Sequence, residues 1–411
     1  MEENSLPKLR HAGFEDAWQK SLLIEQVEIR RGLTYKPSDV RNNGVRVLRS
    51  SNIAEDTFVI SDDDVFVDKG AVNIPRISNG DILVTAANGS TKLVGKHAIV
   101  KNLAEDELAV HGGFMLAIKA EQNDFVNAWM SSKEYKRVLQ FVQGGNGAIG
   151  NLSTSVLKSM KMTIPASIEE QSAIGSLFHT LDDLLADYKE NLVNYKAFKA
   201  SMLSKMFPKS GQIVPEIRLA GFEGEWEKYY LGDIFEQVSN YIEPSVENEL
   251  WSLTVEKGLT PKTERYKRDF LVKKNDKFKK VDVNEFVYNP MNLTLGALDL
   301  NNNEVTVSVS GYYVVMKNRG IEKFDNDFLK ILLKTMYAIY QYKQFATGTL
   351  IEKQRVQFPT FSEIPFYLPP IAEQQAVGSF FSNLDTLISS YQDKISQLEN
   401  LKKKLLQDMF I

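Results

Sequence analysis

Two short segments combine residue types at spacings that resemble known reaction sites. Gly89 and Gly95-Lys96-His97 resemble a phosphate-binding loop, but the spacing is one residue too long and histidine stands where Ser or Thr would bind magnesium. Asn289-Pro290-Met291-Asn292 resembles the Asn/Asp-Pro-Pro-aromatic motif of amino-methyltransferases. It lacks the second proline and the aromatic residue that would stack on a flipped base. Neither segment predicts a nucleotide site or a methyl-transfer site.

The other ionisable residues form no pattern typical of catalysis or metal binding. The histidines, which are His11, His97, His111 and His179, lack ligand spacings such as HxxxH, which favours structural roles. Glu134-Tyr135-Lys136 resembles part of a nuclease core, but such triplets occur by chance in a chain with 25% charged residues. The absence of cysteine excludes disulfides, thiol catalysis and cysteine-ligated clusters. We therefore predict no metal site and no catalytic site in this chain.

Basic residues concentrate in two stretches of a chain whose net charge is −4. Residues 256–280 contain ten Lys or Arg against four acidic residues, and residues 28–49 contain six against two. Such stretches suit contacts with nucleic-acid phosphates, but they are equally typical of solvated loops. The 411 residues, 43% of them hydrophobic, predict two or three globular domains. A polar N-terminus and no apolar run of about 18 residues predict an intracellular protein without a membrane span.

A sequence repeat divides the chain into two halves whose ends are alike and whose interiors differ. One block recurs at a shift of 208 positions: Pro7, Arg10, Ala12, Gly13, Phe14, Glu15 and Trp18 reappear as Pro215, Arg218, Ala220, Gly221, Phe222, Glu223 and Trp226. A second block, from Glu170-Gln171 to Phe207, recurs at a shift of 203 positions as Glu373-Gln374 to Phe410. A shared scaffold that carries two different recognition surfaces is expected to look like this.

The second block predicts a long helix in each half. Ser167 and Glu170 form a capping-box pattern after Pro165, and no glycine or proline interrupts the apolar stripe that follows. The stripe has the spacing of a coiled-coil seam, and its members are Leu181, Leu185, Tyr188, Leu192 and Tyr195 in one half and Leu384, Ile388, Tyr391, Ile395 and Leu398 in the other. Lys199 and Lys402 interrupt both stripes at equivalent places, where they either extend to solvent or fix the register.

The two helices are expected to pair, because they are copies with matching seams, although each could instead pack on its own domain. A two-fold-like duplication would set them antiparallel. About 38 residues give a rod of roughly 55–60 Å, longer than one turn of DNA. We predict an α+β fold with pseudo-two-fold arrangement: modules at 1–163 and 212–367, and helical segments at 164–211 and 368–411.

The modules are predicted to be mixed, with strands dominating. In the first module we predict strands at 45–49, 81–85, 98–100 and 114–118, a helix at 125–141 and a flexible loop at 144–147. In the second we predict strands at 286–288 and 312–315 and a helix at 327–345. Loops rich in Ser, Thr, Asn, Gly and Arg lie between the strands, and these residue types suit phosphate and base-edge contacts.

With the repeat and the helices in place, the chain resembles the specificity (S) subunit of Type I restriction-modification systems over nearly its whole length. The segments that carry the resemblance are Arg31-Gly32-Leu33-Thr34-Tyr35-Lys36, Val47 to Ile53, Gly80-Asp81-Ile82-Leu83, Asn151 to Gln171, Arg218 to Trp226, Phe286 to Pro290 and Pro369 to Gln374. The interior of the second module, with Trp251-Ser252-Leu253-Thr254 and the lysine-rich stretch, matches the pattern less well than the first.

The resemblance implies a cytoplasmic, non-catalytic protein that reads double-stranded DNA. Each module would be a target recognition domain for one half of a split site, and the helices would fix the gap. They would dock two modification subunits, which bring S-adenosylmethionine and methylate adenine. Restriction subunits, with ATP and magnesium, would join to translocate and cut. The alternatives are a stand-alone DNA methyltransferase or nuclease with duplicated DNA-binding domains, and a coiled-coil scaffold without a DNA role.

Basic, aromatic and small polar residues in the predicted loops are the candidate DNA contacts. In the first module they are Arg30, Arg31, Tyr35, Lys36, Ser51, Asn52, Asn88 and Ser90. In the second they are Lys257, Lys262, Arg265, Tyr266, Lys267 and Asn292. Lysine and arginine would supply affinity through phosphates, and a few base-edge contacts would supply specificity. Solvated surface positions are the equally simple alternative for each of them.

Overall fold

The computed structural model describes residues 6–143, 151–209, 211–245, 248–262, 278–348 and 354–411. The chain forms two compact units. The first unit contains Met1–Lys189 and Asp393–Ile411, and the second contains Glu190–Gln392. The divisions therefore fall inside the two predicted helical segments and not at their ends.

Short strands dominate the first unit. They are β1 (Gln19–Leu22), β2 (Val27–Arg31), β3 (Val40–Arg41), β4 (Val45–Leu48), β5 (Ile53–Ala54), β6 (Thr57–Phe58), β7 (Val65–Val67), β8 (Ile82–Thr85), β9 (His97–Ile99), β10 (Ala109–His111), β11 (Met115–Ala120) and β12 (Lys161–Ile164). One sheet has the order β2-β11-β8-β9 and is antiparallel throughout. A second has the order β10-β4-β7-β3, with β10 parallel to β4. Residues of these sheets belong to two apolar clusters of this unit.

The second unit contains a sheet with the same strand order as the antiparallel sheet of the first unit, but its other sheet is different. Its strands are β13 (Glu227–Tyr230), β14 (Phe235–Val238), β15 (Tyr241–Ile242), β16 (Trp251–Thr254), β17 (Gly258–Pro261), β18 (Phe278–Val281), β19 (Phe286–Tyr288), β20 (Leu298–Leu300), β21 (Val307–Ser310), β22 (Val314–Asn318) and β23 (Pro365–Leu368). The order β14-β22-β19-β20 matches β2-β11-β8-β9. The other sheet, β15-β18-β21, is antiparallel throughout. The unlike interiors of the sequence repeat therefore build unlike sheets.

Two long helices and several short ones complete the chain. The helices are α1 (Leu23–Gln26), α2 (Asn123–Met130), α3 (Lys133–Gln143), α4 (Thr154–Ser159), α5 (Ile168–Lys205), α6 (Leu231–Ile234), α7 (Asn326–Leu332), α8 (Met336–Phe345), α9 (Phe358–Ser362) and α10 (Ile371–Met409). Among the described helices, none is long and apolar enough to cross a bilayer.

The prediction of one helix in each module was wrong. Two helices, α2 and α3, lie where one was predicted in the first module, and α7 and α8 lie where one was predicted in the second. The break between α7 and α8 occurs at Thr335, whose hydroxyl accepts from the backbone N–H of Ala338 and so caps a new helix. Ser132 lies at the equivalent break and accepts from the N–H of Tyr135 at 3.5 Å. The sequence did not distinguish Ser132 and Thr335 from residues inside a helix, but in the structure each lies at the start of a new helix. The predicted loop at 144–147 lies outside the described residues.

The start of α5 differs in one detail from the predicted capping box. Ser167 accepts from the backbone N–H of Glu170 at 3.3 Å, as an N-cap should. The carboxylate of Glu170 does not return to the N-cap. It binds Arg10 through two hydrogen bonds of 2.6 and 2.7 Å, and it accepts from the indole of Trp18 at 3.3 Å. Glu170 therefore binds Arg10 and Trp18, which are distant in sequence, and not the N-cap of its own helix.

Segments of α5 and α10 pack antiparallel within each unit, as predicted. In the first unit Lys402 pairs with Asp182, and Lys189 pairs with Glu399 at 2.9 Å, so residue numbers on one helix rise as those on the other fall. In the second unit Lys199 pairs with Asp385. All ten predicted seam residues are buried or half-buried, and the rings of Tyr195 and Tyr391 lie 5.2 Å apart. The lysines that interrupt the seams therefore have acidic partners on the opposite helix.

Each unit is closed by an aromatic residue from the end of a long helix. Phe410 packs against Trp18, Phe125 and Phe178, with ring centroids 5.8–6.4 Å apart. Phe207, its repeat equivalent, packs against Phe328 and Phe381 at 5.6 and 6.0 Å. Backbone contacts repeat in the same way, since Leu9 donates to the carbonyl of Asp408 and Ile217 donates to that of Lys205. The repeated ends of the sequence therefore build equivalent scaffolds.

Candidate DNA interface

Two of the eight candidate residues of the first unit, Tyr35 and Asn88, line one groove. Its volume is about 880 Å³, and Tyr35, Arg49, Ser50, Asn88 and Phe114 line it together with Leu33, Thr34, Pro37, Val40, Ala87, Gly89, Gly112, Gly113 and Met115. The loop after β2, the turn after β4, the loop after β8 and the turn before β11 supply these residues. Four separate chain segments thus converge on one concave surface, and none of the described residues in its lining is acidic.

Hydrogen bonds within the groove hold its polar groups in place. The amide of Asn88 donates to the hydroxyl of Ser50 at 3.0 Å, and its oxygen accepts from the backbone N–H of Ser90 at 2.9 Å. Arg49 donates to the carbonyl of Asp63 at 2.9 Å, while its Nε has no partner among the described residues. Side chains oriented in this way are suited to base-edge contacts, because little freedom is lost when they bind.

The exposed cations beside the groove are fewer than the sequence count suggests. Arg30 forms an ion pair with Asp81 at a nitrogen–oxygen distance of 2.5 Å, and Arg46 forms ion pairs with Asp64 and Glu107. Arg31 and Lys36 are exposed and form no ion pair within the described part of the chain. Their side chains therefore remain available to phosphates, as does the exposed hydroxyl of Ser51.

Asn52 has a structural role that its sequence context did not indicate. Its side chain is completely buried, donates to Asp64 at 2.7 Å and to the carbonyl of Val59 at 3.0 Å, and accepts from the N–H of Arg49. The amide thus fixes the turn that presents Arg49 and Ser50. No atom of Asn52 is left for DNA in this conformation, so we do not keep it in the candidate interface.

The candidates of the second unit are less concentrated. Asn292 is exposed in the loop after β19, and this loop occupies the same place in its sheet as the Asn88 loop does after β8. Lys257 lies in the turn between β16 and β17, and Lys262 follows β17. Arg265, Tyr266 and Lys267 lie outside the described residues. Within the same basic stretch Lys279 is buried, and its amine donates to the carbonyl of Tyr313 at 2.7 Å. Burial lowers the pKa of Lys279, so it is not a surface phosphate contact.

The segments that resembled reaction sites form turns and packing contacts. Gly95 has a φ of +85°, a left-handed conformation that favours glycine, so this residue serves the turn before β9. His97 begins a strand and is buried, and its Nδ1 and Nε2 lie 3.3 Å from the carbonyls of Gly95 and Asn127, to one of which the neutral ring donates. Burial lowers its pKa, which keeps the ring neutral. Asn289 accepts from the N–H of Met291 and so closes a tight turn.

Glu134, the acid of the triplet that resembled a nuclease core, also has structural partners. It accepts from the indole of Trp129 at 2.8 Å, and burial raises its pKa. Across the described part of the chain, no group of three His, Asp or Glu side chains is arranged to hold a metal ion.

Sequence reasoning missed Phe114, the most exposed aromatic side chain among the described residues, at 74%. The signal was available, since Gly112-Gly113 directly before a strand indicates a tight turn that projects the next side chain. It also missed Arg49 and Ser50, which stand two positions before the predicted Ser51 and Asn52. An error of two residues is expected where a short 3₁₀ turn follows a strand.

Known proteins similar to this chain share one description. A family model described as "Type I restriction modification DNA specificity domain" matches residues 15–194 and 223–400. The StySPI specificity subunit of a Type I restriction enzyme from Salmonella potsdam is 20% identical, over 96% of this chain and 89% of that protein. A putative MjaX specificity subunit from Methanocaldococcus jannaschii is 22% identical, over 98% and 95%. The crystal structure of a Type I restriction-modification S subunit from M. genitalium superimposes with a TM-score of 0.60 at 15% identity, covering 99% of both chains.

Proposed function

Because the chain belongs to the family of Type I restriction modification DNA specificity proteins, we propose that it reads a two-part DNA site. Each unit would read one half-site by a different set of side chains. The chain would contribute recognition, and partner subunits would contribute the chemistry.

The observation that carries this proposal is the combination of equivalent scaffolds with unlike recognition surfaces. The strand order of the main sheet, the closing phenylalanine and the helix contacts recur in both units. The second sheet and the loops around it do not recur. A duplicated protein that bound the same ligand twice would have no reason to change these parts, whereas two readers of different sequences would need to.

The mode of binding follows from the groups in the groove. Arg31 and Lys36 would neutralise phosphates and give affinity that falls with salt. Arg49 and Asn88 carry the donors and acceptors that pair with guanine and adenine edges in the major groove. The described residues that resembled catalytic groups are occupied by structural contacts. We therefore assign this chain no reaction of its own.

The partners would be two methyltransferase subunits that bring S-adenosylmethionine, joined by restriction subunits that use ATP and magnesium. Exposed apolar side chains on the long helices support a protein partner there: Leu184, Val193, Phe198 and Leu401 are 38–65% exposed. Each unit contributes two of these side chains, Leu184 and Leu401 in the first and Val193 and Phe198 in the second.

The test is to map methylated adenines in DNA exposed to this chain together with its methyltransferase partner. We expect a motif of two short specific parts separated by a fixed number of unspecified base pairs. A single contiguous motif, or none, would overturn the proposal. Methylation or cleavage of DNA by the purified chain alone would favour instead a stand-alone enzyme. Binding without sequence preference, even with the partner present, would favour a scaffold.

A further inference from the structure

Phe114 stands at the edge of the groove in the first unit, on a backbone that cannot easily move. Its carbonyl accepts from the N–H groups of Ala86 and Ala87 at 2.9 and 3.1 Å, and Gly112 donates to the carbonyl of Leu48 at 2.8 Å. A Cβ on Gly32 would lie 1.9 Å from the carbonyl oxygen of Gly112, so the two backbones are in direct contact. Backbone contacts therefore fix the turn that carries the ring, and the ring is 74% exposed.

The rest of the groove shows what Phe114 is placed to meet. Its polar lining is Thr34, Tyr35, Arg49, Ser50 and Asn88, with no acidic residue among its described residues, and Arg31 and Lys36 are exposed nearby. This charge favours a polyanion over an ordinary protein surface. An arginine, an amide and an aromatic side chain within one concave surface are the residue types that read base edges in the major groove.

The second unit presents an aromatic side chain at the corresponding turn, but with different chemistry. Tyr312 precedes β22 as Phe114 precedes β11, and it is 50% exposed. The guanidinium of Arg355 donates to its hydroxyl and lies 5.9 Å from its ring centroid. A bare ring in one unit and a hydroxyl paired with arginine in the other would serve different base edges.

We propose that Phe114 contacts the 5-methyl group of a thymine in the major groove of the half-site read by the first unit. This rests on the proposed function. The 5-methyl group is the apolar feature that base edges offer in the major groove, whereas the minor groove offers mainly hydrogen-bonding groups. An apolar ring held among polar readers gains free energy there by covering the methyl group and releasing water. Phe114 is thus a specificity-determining residue that selects an A·T pair.

The experiment uses the full chain in complex with its methyltransferase subunits and duplexes that carry the mapped site. Each thymine of both half-sites is replaced in turn by deoxyuridine, which lacks only the methyl group, and Kd is measured by fluorescence anisotropy. For the wild type we expect one replacement to weaken binding about 4-fold, the effect of one buried methyl group. For Phe114→Ala we expect equal Kd for the thymine and uracil duplexes at that position.

Matched variants separate this contact from general damage. Phe114→Leu keeps an apolar group and should retain part of the discrimination. Ile60→Ala removes an apolar side chain that is exposed elsewhere in the same unit, and Tyr312→Phe alters the other unit; neither should change the ratio at this position. Circular dichroism and co-purification with the methyltransferase confirm that each complex is intact.

Several outcomes would overturn the proposal. These are equal binding of thymine and uracil duplexes by the wild type, discrimination that persists in Phe114→Ala, and a first half-site without an A·T pair. Increased 2-aminopurine fluorescence next to the contact, lost in Phe114→Ala, would show that the ring inserts between bases instead. Loss of the methyltransferase from Phe114→Ala with unchanged DNA discrimination would show a protein contact. Absence of any site preference in the wild type would instead remove the proposed function itself.

Discussion

His111 lies in the core of the first unit, directly before the turn that carries Phe114. Its Nε2 donates to the carbonyl of Arg30 at 3.1 Å, and its Nδ1 has no partner among the described residues. Protonation would bury an unpaired N–H and a charge, and burial accordingly lowers the pKa of His111 to about 4. In the unfolded chain the pKa of histidine is about 6.5. Between these two values the unfolded state binds more protons, so the first unit loses stability as pH falls from 6.5 towards 4.

We expect His111→Gln to reduce this acid sensitivity. The shift corresponds to about 3 kcal/mol of unfolding free energy lost by the wild type across that range. Urea unfolding at pH 7 and pH 4.5 measures the difference. His97 keeps some acid sensitivity in the variant, because burial lowers its pKa as well. His179→Gln, an exposed position, is the control. An undiminished pH dependence in His111→Gln would contradict the prediction.

Arg10 and Glu170 form a buried pair that recurs as Arg218 and Glu373. The carboxylates are 1% exposed in both pairs, and each accepts two hydrogen bonds from its arginine. We expect Glu170→Gln to lower the free energy of unfolding of the first unit by about 3 kcal/mol, because a buried guanidinium loses its counter-ion. Glu373→Gln should affect the second unit equally.

Chemical denaturation followed separately in the two units tests the pair. Trp18 and Trp129 report on the first unit, and Trp226 and Trp251 report on the second. Glu190→Gln, at an exposed position, should change neither transition. If Glu170→Gln and Glu373→Gln each destabilised both units equally, each ion pair would not act only on its own unit.

At the scale of elements, the long helices carry a reciprocal pair of ion pairs. Lys402 with Asp182 and Lys199 with Asp385 are copies of one another, because each lysine and each aspartate recurs at the 203-residue shift. A parallel, in-register pairing of the two helices would set Lys199 against Lys402. The lysines therefore favour the antiparallel direction, mainly by making the other direction unfavourable.

We expect Lys402→Asp to destabilise the first unit by about 1 kcal/mol, since the pair is partly exposed and a reversed charge faces Asp182. Adding Asp182→Lys should restore most of the loss. Lys404→Asp, at an exposed helix position, serves as the control. Denaturation midpoints of the wild type, Lys402→Asp, Asp182→Lys and the double variant complete a double-mutant cycle. A coupling energy near zero would mean that the apolar seam alone sets the direction.

At the scale of the whole molecule, the core of each unit is completed by a phenylalanine from the other half of the sequence. Phe410 completes the core that contains Trp18 and Phe178, and these lie at the opposite end of the chain. Residues 1–210 lack Phe410 but contain Phe207, its repeat equivalent. Two copies of this fragment could therefore supply each other with a closing phenylalanine and with the lysine that faces Asp182.

We expect the fragment 1–210 to form a homodimer, measured by sedimentation equilibrium, and to select a symmetric DNA site with the methyltransferase present. Phe207→Ala in the fragment should weaken the dimer, because it leaves a cavity in each copy. The same fragment as a stable, folded monomer would contradict the exchange of equivalent ends.

The distance between half-sites is the second prediction at this scale. Insertion of seven residues after Glu190 and seven after Asp393 keeps the seam in register and lengthens each helix by about 10 Å. If the helices fix the gap, the unspecified part of the mapped site should lengthen by about three base pairs. An unchanged gap would show that the helices do not determine it.

The amino-acid sequence by itself determined the architecture of this protein. A repeat, a seam and unlike interiors are properties of residue order, and they led to two sheet-based units and two paired helices. The strands at 82–85, 115–120 and 286–288 were close to their predicted positions, because β-rich runs bounded by Gly or Asn carry a local signal.

Only the tertiary structure decided which polar residues are free to act. Arg30, Arg46, Asn52 and Lys279 look like surface groups in the sequence, but each is bound to a partner that tertiary structure brings to it. Phe114 is the reverse case, an aromatic residue that backbone contacts from three segments hold in solvent. The physical reason is the same in both cases. Whether a side chain is buried or exposed depends on contacts between residues distant in sequence, and local patterns do not encode them.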